Sequence, residues 1–393
     1  MKTLRLGAGK ERSLLRRHPW IFESAIISGG ADSGETVRVE AQSGEFLAWA
    51  AFSPQSRIRA RIWSFEQSQR IDPTFLQTRC GAAVAARQRF AINSDAMRLV
   101  HGEADGLPGL VVVRYGDTLV AQFLSAGAQR WKDVLSDALL HCTGLNRLYE
   151  RSDTSTRALE GLVQESGWLR GTGPTDLQLS EHGWTLGVDI ANGHKTGYYL
   201  DQRDSRLKFA NYASRLAPQR VLNCYCYTGG FTVAALSGGA GHVTSIDSSA
   251  LAISLARDNL ACNGFSADRH EFLQSDVNAA LRKFHEQGIT FDAIVLDPPK
   301  FAPTVSHADR AARAYKDINR LALGLLNPGG VLFTYSCSGG ISVDLFHKIV
   351  ASAGADAGVD GYICERLGGA PDHPMTISFP EGEYLKGLVV MRK

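Results

Sequence analysis

Two short runs hold the residues best suited to covalent chemistry. Asp297-Pro298-Pro299-Lys300-Phe301 follows the apolar run FDAIVL, and Cys337-Ser338-Gly339-Gly340 follows GVLFTYS. Two prolines directly after a buried strand cannot continue a ladder, so they make a rigid extended turn and fix the preceding acid at the strand tip. A carboxylate held there, with backbone carbonyls beside it, suits the exocyclic amino group of cytosine or adenine. If the two strands are neighbours, a spacing of roughly 5 Å lets Asp297 and Cys337 reach one base together.

That pairing points to a particular reaction. C5 of a pyrimidine is too poor a nucleophile to attack a sulfonium methyl unaided. A thiolate adding to C6 pushes electron density onto C5, which then takes the methyl by in-line displacement. Asp297 and Cys337 are therefore the expected catalytic residues. Other readings stay open on these residues alone. An enzyme acting on guanine or an exocyclic amine needs the acid and uses Cys337 only for packing, and an RNA-binding assembly factor could keep a vestigial pocket. Many cysteines are simply small buried hydrophobes, which is how Cys224 and Cys226, alternating along one strand, are read.

The cofactor half lies upstream. A strand ends in Asn223-Cys224-Tyr225-Cys226-Tyr227-Thr228-Gly229-Gly230, where glycine lets backbone approach a ligand closely. The next apolar run ends at Asp247, 24 residues on, placed to accept both hydroxyls of a ribose, and the third ends at Asp276, placed to meet an adenine amino group. A ribose-binding acid also serves dinucleotide enzymes, and a packing turn is the plain alternative. The loop lacks G-x-G-x-x-G, however, and S-adenosylmethionine has no phosphate to cradle. The expected cofactor set is Asn223, Tyr225, Thr228, Gly229, Asp247, Ser248, Asp276 and Val277, with Asp297 shared. Upstream, the polar and aromatic run Asn192–Arg203 could fold over the cofactor with Tyr199 on adenine, or serve as a domain linker. From it Lys195 and Arg203 are expected at the substrate, as is Lys300.

The elements that must position these residues divide the chain into three textures. Residues 1–72 are short apolar runs broken by Gly and Ser, ending in the alternation Arg57-Ile58-Arg59-Ala60-Arg61-Ile62-Trp63, which predicts strands with one buried face. Residues 73–190 predict an α+β segment, with an Ala- and Arg-rich helix, a hairpin turning at Gly116-Asp117, a helix near 129–141 and strands near 145–150, 176–181 and 184–190. From 191 to 393 strand-length apolar runs alternate with helical patterns, predicting an α/β, Rossmann-like, mostly parallel sheet. Ligands of such sheets sit at the carboxyl ends of the strands, where the residues above fall.

Composition sets the outer bounds. Among 393 residues 44% are apolar and 21% charged, a globular profile. No apolar run reaches the length of a membrane span. The basic N-terminus lacks an apolar signal region, and seven cysteines without disulfide spacing fit a reducing cytoplasm. No Cys or His pair has metal-ligand spacing. Residues 1–100 carry 15 Lys and Arg against 9 Asp and Glu, a net charge of +6, leaving −4 for the rest. A basic front end suggests contact with phosphate through Arg16, Arg17, Arg57, Arg59 and Arg61; a solvated arginine face is the plain alternative.

Taken together, the motifs resemble the ribosomal RNA large subunit methyltransferase I family of cytosine-C5 methyltransferases acting on bacterial 23S rRNA. SLLRRHPWIFESAI is similar to the start of its PUA RNA-binding domain, and YERSDTSTRALEGL and NGHKTGYYLDQRDSR to its middle region and lid. LNCYCYTGGFTVAA, VLDPPKFA, YKDIN and TYSCSGG are similar to its catalytic domain. The resemblance implies a PUA domain, an α+β middle domain and a Rossmann-like domain; S-adenosylmethionine as donor, with S-adenosylhomocysteine as product; Cys337 as nucleophile, Asp297 on the base edge, and Asp247 and Asp276 on the cofactor. It implies 23S rRNA or a large-subunit precursor as partner in the cytoplasm; the exposed edges of the middle segment are compatible with a homodimer. Two departures stand out. Many RNA cytosine methyltransferases place a second Cys where this chain has Pro299, and the lid has His194 in place of an expected Gln.

Overall fold

Alternation of buried and outward residues builds the first sheet, as in β4, where Val37 and Val39 are inside and Thr36, Arg38 and Glu40 are not. The computed structural model describes residues 2–301 and 308–393, so Ala302, which ends the VLDPPKFA motif, lies outside the described residues. The opening elements are β1 (Thr3–Leu6), α1 (Arg12–Leu15), β2 (Trp20–Phe22), β3 (Ile26–Ser28), β4 (Thr36–Glu40), β5 (Phe46–Phe52) and β6 (Ile58–Ser64). They form a six-stranded sheet in the order β2-β6-β5-β4-β1-β3 around Leu4, Val37, Val39, Ala50 and Ile62.

Asp72-Pro73 then opens a helix. Asp72 accepts from Phe75 N at 3.0 Å and caps α2 (Pro73–Arg87), with proline in the first turn where no amide is needed. There follow β7 (Ala96–His101), β8 (Leu110–Tyr115), β9 (Thr118–Phe123), α3 (Ala126–Arg130), α4 (Lys132–Thr143), β10 (Arg147–Ser152) and β11 (Glu165–Arg170). Their five strands run in the order β11-β10-β9-β8-β7, with α2 and α4 packed on them through Phe75, Leu76, Leu135 and Leu139. The hairpin at Gly116-Asp117 is present; β7 and β11 are additions to the expected set. A two-stranded ribbon, β12 (Asp176–Glu181) and β13 (Trp184–Asp189), comes next.

The chain forms two units. The first runs to Leu179 and includes Val188–Leu200 and Pro371–Gly382; the second comprises Ser180–Gly187, Asp201–Ala370 and Glu383–Lys393. The late segment 371–382 is tied into the first unit by Asp372, which accepts from Arg98 N at 2.9 Å, and by Phe379, whose ring lies 4.6 Å from that of Trp20. Nothing in its sequence announces that attachment.

The second unit is an α/β sheet. Its elements are α5 (Arg203–Leu216), β14 (Arg220–Cys224), α6 (Gly230–Ser237), β15 (His242–Asp247), α7 (Ala250–Cys262), β16 (His270–Gln274), α8 (Val277–Glu286), β17 (Phe291–Leu296), α9 (Ala308–Leu325), β18 (Leu326–Ser336), α10 (Val343–Ala357), β19 (Gly361–Leu367) and β20 (Lys386–Arg392). Seven strands run in the order β16-β15-β14-β17-β18-β20-β19. All neighbours are parallel except β20, which is antiparallel to both β18 and β19. The order reverses beside β14, and β14 and β17 are the central pair. The carboxyl ends of β14 to β18 therefore line one edge, as doubly wound sheets require for a ligand site.

Candidate active site

The two chemical runs meet at the tips of neighbouring strands. β17 pairs with β18 in parallel, Leu296 opposite Thr334, so Asp297 and Cys337 leave the sheet on adjacent tips. The half-exposed Cys337 thiol lies 3.8 Å from the carbonyl oxygen of Pro298. The Asp297 carboxylate accepts from Gln202 Nε2 at 2.9 Å. Behind the thiol, the buried Ser338 hydroxyl accepts from Phe301 N at 3.1 Å and pairs with Tyr315 OH at 2.9 Å. These bonds clamp the Pro-Pro turn to the Cys337 turn, and the Phe301 and Tyr315 rings, 4.8 Å apart, close the back of the site.

Beside β17, the loop after β14 carries unusual backbone. Tyr225 has φ 59°, Tyr227 φ 47° and Gly229 φ 77°. Two non-glycine residues in left-handed conformation within three positions store strain, which persists only where surrounding contacts hold it and clusters at ligand sites. The contacts are visible here. Asp247 at the tip of β15 accepts from Tyr227 N and from Ser249 N, each at 2.9 Å. Asn259 Nδ2 donates to Thr228 O at 2.8 Å, and Cys226 N to Ile246 O at 3.0 Å. At Gly229 a Cβ would lie 3.0 Å from that of Ala256, so the turn has no room for a side chain on that side.

The other expected cofactor residues fall along the same edge. Asp276 follows β16, stays exposed, and caps α8 by accepting from Ala279 N at 2.9 Å. Val277 opens α8 with its side chain buried. Ser248 is exposed next to Asp247. Burial pushes the thiols of Cys224 and Cys226 upward, as expected of packing residues.

Asn223 is a correction. Its position at the end of β14 is as expected, but the side chain turns inward and donates to Thr232 Oγ1 at 3.0 Å, which in turn pairs with Ser245 Oγ at 2.8 Å. It braces α6 on the sheet rather than offering its amide to a ligand. Arg203 is a second correction: it opens α5 fully buried, with Nε 4.0 Å from Glu181, and presents no exposed charge in this structure. Glu181 is held more tightly by Arg206, through bonds of 2.6 and 2.7 Å.

The expected RNA-facing residues separate by environment. Arg16 and Arg57 are exposed, as is Lys300. Arg17 is exposed with its guanidinium 4.9 Å above the Phe65 ring. Arg59 pairs with Glu23 and with the Pro54 carbonyl. Arg61 is a third correction, since Glu103 at 3.0 Å and Glu160 at 3.1 Å already answer its charge inside the first unit. A cavity of about 400 Å³ in the same unit is lined by Arg17, Trp63, Phe65, Glu66, Arg79 and Glu103, a wall of mixed sign. Lys195 and Tyr199 also belong to the first unit; the Lys195 ammonium sits 4.4 Å above the Tyr199 ring, whose hydroxyl lies 3.3 Å from His194 Nδ1. Two residues of the second unit were missed: Gln202, hidden in a run read as a lid, and Lys386, a single cation in an apolar stretch.

Sheet order, strained loop and tip acids define a class. Residues 163–384 match the S-adenosylmethionine-dependent methyltransferase family, and residues 4–65 the PUA-like domain. The chain is 48% identical over 388 residues to a ribosomal RNA large subunit methyltransferase I from Klebsiella pneumoniae, covering 98% of this chain and 96% of that one. It is 47% identical over 391 residues to the Aliivibrio fischeri protein of the same name, covering 98% of each. The chain thus belongs to the ribosomal RNA large subunit methyltransferase I family. Its fold is shared along the whole length, at 21% identity and a TM-score of 0.85, by a Streptococcus mutans protein described as a SAM-dependent methyltransferase. A methyltransferase designated SMU.776, solved with S-adenosylhomocysteine, matches at 22% and 0.87.

S-adenosylmethionine is the family's cofactor, and the residues present fit it. The loop after β14 leaves the buried Thr228 Oγ1 without a hydrogen-bond partner among the described residues, a polar group otherwise costly to bury. The orphaned Thr228 hydroxyl and the fixed Asp247 carboxylate offer polar groups at this loop that a nucleoside cofactor could engage.

Proposed function

We propose that this chain methylates C5 of a cytosine in 23S ribosomal RNA through a covalent bond between Cys337 and C6. The observation that carries the reading is the Cys337 thiol beside the Asp-Pro-Pro turn, with the Asp297 carboxylate one strand away. S-adenosylmethionine would supply an electrophilic methyl. Asp247 would hold its ribose, Asp276 and the Val277 backbone its adenine, and Thr228 and Gly229 would close on it.

The chain's own groups do the rest. Asp297, oriented by Gln202, accepts a hydrogen bond from the cytosine amino group and sets the ring against the thiol. The Cys337 thiolate attacks C6, forming an S–C6 bond and placing an electron pair on C5. C5 takes the methyl, a base removes the C5 proton, and the returning pair expels the thiolate. No second cysteine stands after β17, where Pro299 is found, so release does not run through a second thiol.

We take the RNA partner to be large-subunit ribosomal RNA or its precursor, in the cytoplasm, with the PUA-like sheet contacting phosphates through Arg16, Arg17 and Arg57. The relatives named for that substrate support this, as does the exposure of those arginines. No described helix is long and apolar enough to cross a membrane. Nucleoside mapping of ribosomal RNA from cells with and without the gene tests the reading. Loss of one 5-methylcytosine is expected; loss of a methylated guanine or amine instead would replace it.

A further inference from the structure

Lys386 is out of place in its strand. It opens β20, pairs opposite Ser336 on β18, and is only 4% exposed. Its ammonium donates to the backbone carbonyl of Ser338 at 2.9 Å, the residue directly after Cys337. A buried lysine costs several kcal/mol unless something negative or strongly accepting repays it. One neutral carbonyl is a weak return, and among the described residues no ion pair is formed by this side chain at bonding distance. Charged and titratable groups that act on Lys386 include Glu383 just before β20, Lys300 on the turn after β17 and Cys337 itself, while Tyr315 on α9 also feels Cys337.

We propose that Lys386 is a positioning residue that makes Cys337 a thiolate near neutral pH. This rests on the reading of Cys337 as the nucleophile. Its cation holds the turn through Ser338 O and favours a negative sulfur beside it. On ionisation the thiol proton passes to solvent water, and the sulfur keeps the electron pair. Lys386 touches no reacting atom; it acts through Cys337. Burial, with a smaller contribution from Lys300, leaves Lys386 less basic than an ordinary lysine, while Glu383 and an ionised Cys337 oppose that shift, so thiolate and ammonium stabilise each other. The arrangement is akin to that of reactive thiols in general, a partly exposed sulfur with a buried cation bonded to the carbonyl of the next residue.

The test is the rate of alkylation of Cys337 by iodoacetamide against pH, read by mass spectrometry on the intact protein. Cys262 and Cys364, both exposed, report ordinary thiols in the same sample. Cys337 is expected to titrate at least one pH unit below them. Lys386→Met should move its midpoint up by about one unit and slow alkylation at pH 7 roughly tenfold, and Lys386→Arg should restore most of it. A Cys337 midpoint equal to or above those of Cys262 and Cys364 overturns the proposal even if Lys386→Met does not fold, and so does a midpoint unmoved in a folded Lys386→Met that still binds S-adenosylhomocysteine. Because alkylation needs no RNA, a different methylated nucleoside would overturn the cytosine reading and leave this result standing.

Discussion

Asp247→Asn isolates what the tip of β15 contributes. Both carboxylate oxygens already accept a backbone amide, Tyr227 N on one and Ser249 N on the other, each at 2.9 Å. A side-chain amide offers one oxygen, so its NH2 must face one of these donors, leaving a backbone N–H without an acceptor. That costs about 1–3 kcal/mol. Replacing a charged acceptor by a neutral one toward the ribose hydroxyls removes about 1 kcal/mol more. Tyr227 and Tyr225 are already in left-handed conformation, so the loop relaxes in the free protein and must be reordered on binding. The sum, about 2–4 kcal/mol, weakens S-adenosylhomocysteine roughly 30- to 700-fold, since each 1.4 kcal/mol is tenfold. Isothermal titration calorimetry measures it. A dissociation constant within threefold of wild type, in a variant with unchanged circular dichroism, would refute the reasoning.

Further outcomes follow from the same geometry. Asn223→Ala should lower unfolding stability by about 1–3 kcal/mol, because Thr232 loses a buried partner, while affinity for S-adenosylhomocysteine stays within twofold; denaturant titration and calorimetry separate the two. Arg206→Leu leaves the buried Glu181 carboxylate without its two-bond partner, and a loss of about 3–5 kcal/mol is expected by urea unfolding. Replacing Arg16, Arg17 and Arg57 together by Gln should flatten the salt dependence of RNA affinity by up to about three units of log–log slope, whereas Arg61→Gln should alter thermal stability more than that slope; filter binding at several salt concentrations decides it.

The sheet was legible because buried parallel strands read as continuous apolar runs, and FDAIVL, VLNCY and HVTSID match β17, β14 and β15 closely. The tip positions of Asp297 and Cys337 were legible because Pro-Pro and Gly-Gly end strands for reasons internal to the backbone. Asn223 was misread because a strand's period of two gives the face but not which face holds the ligand, and its inward face happens to meet Thr232. Arg203 and Arg61 were misread because a positive charge looks alike in sequence whether solvent or a carboxylate answers it; Glu181, Glu103 and Glu160 come from distant segments. Lys386 was invisible for a related reason. Its partner is set by antiparallel pairing of β20 with β18, a register between residues 50 apart that no local pattern encodes.

The central claim is a sulfur–carbon bond between Cys337 and C6 of cytosine. Incubating the protein and S-adenosylmethionine with large-subunit RNA containing 5-fluorocytidine tests it directly, since fluorine at C5 blocks the elimination that frees the enzyme. A covalent protein–RNA band that survives denaturing electrophoresis, carries its crosslink on the Cys337 peptide and is absent from Cys337→Ala is the expected result. Methyl transfer without any such band, or by Cys337→Ala at near wild-type rate, would contradict the account.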